Sequence, residues 1–313
     1  MTNNIKTLDS QYIANTYSRY PVQIVDGEGS ILTDENGKHY IDLGSGIGVN
    51  IFGQKDPAWI EAVQTQLHRF QHTSNLYYSA PDAELAEFLC ERTGLKKVFF
   101  SNSGAEANEC AIKAARAYAA AKKGKEWSTI VTLRDSFHGR TLTTLAATGQ
   151  DMFHQDFLPL TPGFVHAEPD DLEGLKQIVR ENRVAGILIE CVQGEGGVRA
   201  LSDAYVKGVA ELCEKEDIVF MTDEVQCGNG RTGKLYAYEH YGVLPDVVST
   251  AKGLGGGLPI GATMLGMKVE NVFTPGKNGS TFGGNPIVCA GALSILKRLD
   301  DKFLAEVTRK GNF

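Results

Sequence analysis

The chain has 313 residues, 42% hydrophobic and 22% charged, with a formal net charge of −7. This describes a globular chain of one large or two ordinary domains, and the acidic balance excludes a basic footprint for nucleic acid or an anionic membrane. No apolar run approaches the roughly 18 residues of a membrane span and residues 1 to 22 carry no secretory pattern, so a cytoplasmic protein acting on small molecules is expected.

Residues 26 to 44, "DGEGSILTDENGKHYIDLG", read as a hairpin. His68 and His72 have the spacing of metal ligands on a helix, but no third ligand matches them and no metal is expected. From residue 96 onward, apolar β-like runs alternate with helix-like segments. "KKVFF" (96 to 100) precedes an alanine-rich helix that Ser103 and Glu106 open as a capping box. "STIVTL" (128 to 133) precedes "FHGRTLTTLAATG"; "VAGILIE" (184 to 190) precedes "CVQGEGG" and a helix near 203 to 216. "IVFMTDE" (218 to 224), "DVVST" (246 to 250) and "IGATMLGM" follow, and a helix is expected from about 285. The six cysteines form no C-x-x-C pair and read as reduced packing residues.

This alternation is the grammar of an α/β fold with a mostly parallel sheet covered on both faces. Residues 61 to 284 form its large domain in this reading; residues 1 to 60 and 285 to 313 belong to a smaller one. Ligands of such sheets bind beyond the carboxyl ends of the strands. Ser103, Phe137, His138, Glu190, Asp223 and Lys252 all fall there, so they are expected to line one crevice.

"GNGRTG" (228 to 233) formally fits a dinucleotide fingerprint, but Asp223 and Glu224 separate it from its strand and no amphipathic helix follows, so it reads as a structural loop. "NSGAEANE" (102 to 109) is more informative. A strand, a small-residue turn and a capped helix present free N–H groups to a phosphate. Asp223 ends one apolar run and Lys252 follows another, where burial would lower the amine's pKa toward its nucleophilic form. An Asp–Lys ion pair would account for those two residues alone. Pyridoxal phosphate accounts for all three features, with an aldehyde for the lysine, a pyridine nitrogen for the aspartate and a phosphate for the helix.

"FFSNSGAEANE", "FHGRTL", "QGEGGV", "TDEVQCGNGRTGK", "STAKGLGGGLPIGA" and "GSTFGGNP", in that order, resemble the acetylornithine branch of the ornithine-type, class III aminotransferases. The resemblance implies a fold-type I enzyme, a homodimer with active sites at the subunit boundary. It implies that Lys252 and Asp223 are catalytic, that Phe137 and Val225 flank the cofactor ring near His138, and that Gln226 lies near the ring hydroxyl. Ser103, Gly104 and Ala105 would bind the phosphate with Thr281 from the partner subunit. Arg140 would receive the substrate α-carboxylate, with Glu195 as a gate and Ser280 beside the substrate. The implied reaction moves the terminal amino group of N-acetylornithine to 2-oxoglutarate, giving N-acetylglutamate semialdehyde and glutamate in arginine biosynthesis. Succinylornithine, ornithine, succinyldiaminopimelate and 4-aminobutyrate are the alternative amines. The family continues beyond the equivalent of Phe313, so the smaller domain reads as C-terminally incomplete; a cofactor-binding fragment without turnover is the other alternative.

Overall fold

The computed structural model describes residues 5–313. Helix α1 (Ile5–Tyr12) leads into three short strands, β1 (Ile24–Glu28), β2 (Ile31–Asp34) and β3 (His39–Ile41), then a turn, α2 (Ser45–Gly48), and helices α3 (Pro57–Leu67) and α4 (Ala80–Thr93). The central region runs β4 (Lys97–Ser101), α5 (Gly104–Lys122), β5 (Thr129–Leu133), α6 (Leu142–Ala147), β6 (Phe164–Ala167), α7 (Leu172–Glu181) and β7 (Val184–Ile189). A small ribbon follows, β8 (Val192–Gln193) with β9 (Arg199–Ala200), then α8 (Asp203–Lys215), β10 (Val219–Asp223), β11 (Val247–Thr250) and β12 (Gly261–Leu265). Helices α9 (Pro286–Leu296) and α10 (Asp301–Gly311) complete the order.

Seven strands form the main sheet in the order β4-β12-β11-β10-β7-β5-β6. Neighbours from β11 through β6 pair in parallel; β12 runs against both β11 and β4. Successive residues alternate between two apolar clusters. Val219, Met221, Val247 and Leu188 pack with the alanine face of α5, whereas Phe220, Val248, Ile187 and Ile189 pack with α8, α9 and α4. Both faces are covered, so the strands are continuous apolar runs without the polar alternation of a half-exposed sheet. Gly186 brings α5 close: a Cβ there would lie 2.9 Å from that of Ala115.

Several sequence expectations change. The hairpin of residues 26 to 44 is a three-stranded antiparallel meander, because β2 pairs with both β1 and β3. Ser103 caps α5 by accepting from the backbone N–H of Glu106 at 3.2 Å, but the Glu106 carboxylate reaches past the cap to the N–H of Asn102, at 2.6 Å, instead of closing the box. The segment from Phe137 becomes helical only at Leu142, since Gly139 sits at φ +140° and Thr141 forms the cap. Helix α3 ends at Leu67, so His68 and His72 do not share it, and among the described residues no cluster of metal-ligating side chains occurs. The C-terminal stretch, expected as a helix from about residue 285, forms two helices, α9 and α10. Apolar on nearly every side, α9 buries Val288, Cys289, Ala292 and Ile295 in the sheet's own core and packs on α3 and α4. All six cysteines are free thiols. Among the described residues no helix is long and apolar enough to cross a membrane.

Strand β12 also fixes the turn that opens α5. Gly261 pairs with Ser101, and a Cβ on Gly261 would lie 2.2 Å from the carbonyl oxygen of Ser103, a backbone atom with no rotamer to yield. Gly261→Ala is expected to cost about 1–3 kcal/mol of unfolding free energy by overpacking, read as a lower urea midpoint with an unchanged slope.

Candidate active site

Four adjacent parallel strands deliver side chains to one edge of the sheet. β11 is followed by Lys252, β10 ends on Asp223, β7 is followed by Glu190, and β5 by the turn that carries Phe137 and His138. At the same edge, the turn after β4 brings Ser103 and the first residues of α5. A cavity of about 480 Å³ opens there. Its lining includes twelve of the fourteen residues expected there from the sequence: Ser103, Gly104, Ala105, Phe137, His138, Arg140, Glu190, Glu195, Asp223, Val225, Gln226 and Lys252.

Ser280 and Thr281 lie outside it. The Ser280 hydroxyl accepts from the N–H of Gly283 at 2.9 Å and from Asn102 Nδ2 at 3.3 Å, which ties it into its own turn, while Thr281 is exposed.

Asp223 is 3% exposed and lies at the centre of a hydrogen-bond cluster. Its Oδ2 accepts from Asn108 Nδ2 at 2.7 Å and pairs with His138 Nδ1 at 2.8 Å; its Oδ1 accepts from the N–H of Val225 at 2.9 Å. Asn108 was not singled out on sequence. Its carboxamide also donates to the carbonyl of His138 at 2.8 Å and accepts from Ser249 Oγ at 2.5 Å, joining α5 to the ends of β5, β10 and β11. The available signal was spacing: Asn108 follows Gly104 by four residues and so shares its face of α5.

Glu190, expected in the crevice from its place after an apolar strand, lines it and accepts from the N–H of Phe137 at 3.0 Å. Burial pushes its carboxyl up to about 7; the charge of Asp223 adds to this, against His138 and two backbone donors. For His138, burial opposes the charged ring, but the hydrogen bond and charge of Asp223, with the charge of Glu190, prevail and raise its pKa. Burial lowers the pKa of Lys252 against the pull of Asp223, Glu190 and Glu195.

At the rim, the Arg140 guanidinium stacks over Phe153 at 4.1 Å and beside Phe137 at 5.4 Å. Among the described residues no carboxylate pairs with Arg140.

This donor set fits a flat phosphorylated aldehyde. The first N–H groups of α5 have no intrahelical acceptors and carry the positive end of the helix, which suits a phosphate. Gly104 keeps that approach open, since a Cβ there would meet Val225 Cγ1 at 2.6 Å. A buried carboxylate suits a ring nitrogen, and a half-buried amine of lowered pKa suits an aldehyde.

The aminotransferase class-III family matches residues 12–312, and the chain belongs to that family. It is a pyridoxal-phosphate-dependent transaminase. Among its relatives, the acetylornithine aminotransferase of Haemophilus ducreyi is 51% identical over 310 residues, covering 99% of this chain and 79% of the relative. The ornithine aminotransferase structure from Toxoplasma gondii superposes with a TM-score of 0.92 at 34% identity, over 97% of this chain and 72% of that one. The N-acetylornithine aminotransferase structure from Stenotrophomonas maltophilia gives 0.83 at 35% identity, over 98% and 74%.

The raised Glu190 pKa has a definite consequence for stability. Between the ordinary carboxyl value and about 7 the folded chain binds a proton that the unfolded chain has lost, so this group's contribution falls as pH rises through that window and is level above it. Glu190→Gln removes this dependence. The variant's unfolding free energy relative to the parent is expected to improve by about 1–3 kcal/mol between pH 5 and pH 8. Parallel urea titrations at the two pH values measure it, and an unchanged difference would show Glu190 ionised normally in the fold.

Proposed function

We infer that this transaminase moves the terminal amino group of N-acetylornithine to 2-oxoglutarate. The observation that carries this reading is Arg140. A planar guanidinium with no carboxylate partner among the described residues sits at the mouth of a cavity that also contains a lysine amine, and it can grip an α-carboxylate by two parallel hydrogen bonds while the distal amine reaches inward.

When bound, pyridoxal phosphate supplies an aldehyde to receive the amino group and a ring that withdraws electrons from the neighbouring carbon. The chain's own residues do the rest. Lys252 Nζ would hold the aldehyde end and serve as the base for the proton at the substrate carbon; burial keeps the amine toward its neutral form. Asp223 keeps a proton on the ring nitrogen, with Asn108 and His138 fixing its orientation. Phe137 and Val225 would hold the ring between them, Gln226 would lie by its hydroxyl, and Ser103, Gly104 and Ala105 would receive the phosphate. Glu195 gates the substrate side.

The enzyme acts in this reading as a cytoplasmic homodimer. Thr281 of the partner subunit completes the phosphate site, and Ser280 accompanies it at the boundary. The support is local: Asn75 Nδ2 donates to the carbonyls of Ser280 and Gly283, which sets the exposed Leu76, Tyr77 and Tyr78 beside the turn that carries exposed Phe282. Sedimentation of the purified chain is expected to give twice the chain mass. A division at residues 60 and 285 into large and smaller domains is part of the same proposal.

Borohydride reduction of the cofactor-loaded protein is expected to label Lys252, with Lys252→Ala losing transamination; a label on another lysine would remove it from the mechanism. Arg140→Lys keeps the charge but not the fork. It is expected to lower kcat/KM for N-acetylornithine on the order of a hundredfold, about 2.7 kcal/mol of transition-state stabilisation, with cofactor affinity unchanged. Single-turnover mixing with N-acetylornithine checks this, and parental speed in the variant would make Arg140 a surface residue.

A further inference from the structure

The glycine-rich loop that mimics a nucleotide motif lies against the backbone leading into Lys252. One of its residues is a left-handed non-glycine, Asn229 at φ +54°, and its side chain is buried at 3% exposure. Asn229 Nδ2 donates to Thr250 Oγ1 at 2.9 Å and to the carbonyl of Ala251 at 3.1 Å. These are the two residues directly before Lys252. Its Oδ1 has no partner among the described residues, so the hydrogen bonds of this side chain all go to the approach to the lysine. A Cβ placed on Gly253 would lie 3.2 Å from Asn229 Cβ, so the same residue also fills the space beside the peptide after the lysine.

Lys252 requires such support. It is itself left-handed, at φ +47°, a conformation that costs a residue with a Cβ roughly 1–2 kcal/mol and persists only where its surroundings impose it. On the far side the backbone is held by Leu254 N–H to Ala251 O at 2.9 Å and Gly255 N–H to Lys252 O at 3.0 Å. Asn229 supplies the hold on the near side. A residue that merely packed there would be apolar, because burying a carboxamide is unfavourable unless its donors are used. Asparagine combines two donors with tolerance of positive φ.

We propose that Asn229 is a positioning residue for Lys252: by clamping Thr250 and Ala251 it sets the direction in which the lysine amine enters the cavity. This rests on Lys252 being the residue that holds the cofactor aldehyde. Glycine at 229 keeps the left-handed turn without the clamp; aspartate keeps the shape but not the donors.

The test uses the 313-residue chain in both cofactor-free and loaded forms. In the cofactor-free protein, competitive acetylation of Lys252 across pH, followed by peptide mass spectrometry, reads the amine's titration. The groups facing it, Asp223, Glu190, Glu195 and Cys227, remain in place. In Asn229→Gly the midpoint is expected to move toward that of an ordinary lysine. The rate at which added pyridoxal phosphate is captured, followed by absorbance, is expected to fall roughly tenfold or more in both Asn229→Gly and Asn229→Asp, since a displacement of about 1 Å at a reacting group can cost a hundredfold. The charge that Asn229→Asp introduces makes only its capture rate informative. Thermal midpoints report whether each variant folds; where one does not, the other decides. A parental titration in Asn229→Gly together with parental capture rates overturns the proposal, and so does loss of the fold in both variants, which would make Asn229 a structural residue. Borohydride labelling of the loaded parent separates the two levels. A label on another lysine sinks the reading of Lys252, whereas a label on Lys252 beside unaltered variants sinks only the role of Asn229.

Discussion

A carboxylate buried at the end of a central strand is the constraint around which the site is arranged. Asp223 finishes β10, all five of whose residues are buried, and an ion there is tolerated only when donors surround it. Three do so: a side-chain amide from α5, a histidine from the turn after β5, and the backbone N–H of Val225. Each comes from a different element, so satisfying this one charge fixes the mutual positions of those elements. The cavity is the space left on its solvent side.

The same requirement explains why Asn108 belongs on α5. The helix presents its positive end to the cavity, while one turn further along the same face the Asn108 amide reaches down to Asp223. In the proposed reading, the phosphate end and the nitrogen end of a bound ring would be spaced along one helix, which alanines pack on the sheet. A loop could not hold that separation as well. Glu190 balances the arrangement from the next strand: it holds the Phe137 backbone through Oε2, and because burial raises its pKa to about 7 the pocket does not carry two full negative charges at all pH values.

Strands and their polar ends were legible because both faces of the sheet are buried, which makes "IVFMT" and "DVVST" largely apolar or β-branched runs that stop at Asp223 and just before Lys252. Pairing direction was less legible. The connection from Thr250 to Gly261 is too short for the crossover that parallel neighbours need, a dozen residues or more, and this would have marked β12 as antiparallel. Asn108 and Asn229 were harder still, because each acts through a bond to a residue distant in sequence, and a single polar residue in a helix or loop carries no periodic signal. Helix α9 follows a similar rule. Being apolar nearly all round, it is covered on most sides, packing into the sheet's core and against α3 and α4.

Lys252 is the exception in a run otherwise given to glycine. Gly253, Gly255, Gly256 and Gly257 follow it, and at Gly256 and Gly257 the φ values of +58° and +119° explain the choice. Lys252 needs a comparable backbone but must keep its side chain for chemistry, so the relief of strain that glycine would bring is closed to it. The fold meets this from outside the run. Asn229, from a separate loop, holds the two preceding residues, and Ala251 O accepts simultaneously from that side chain and from Leu254 N–H. A strained residue in a cavity is thus kept by bonds made to the residues beside it, and they leave its side chain for chemistry.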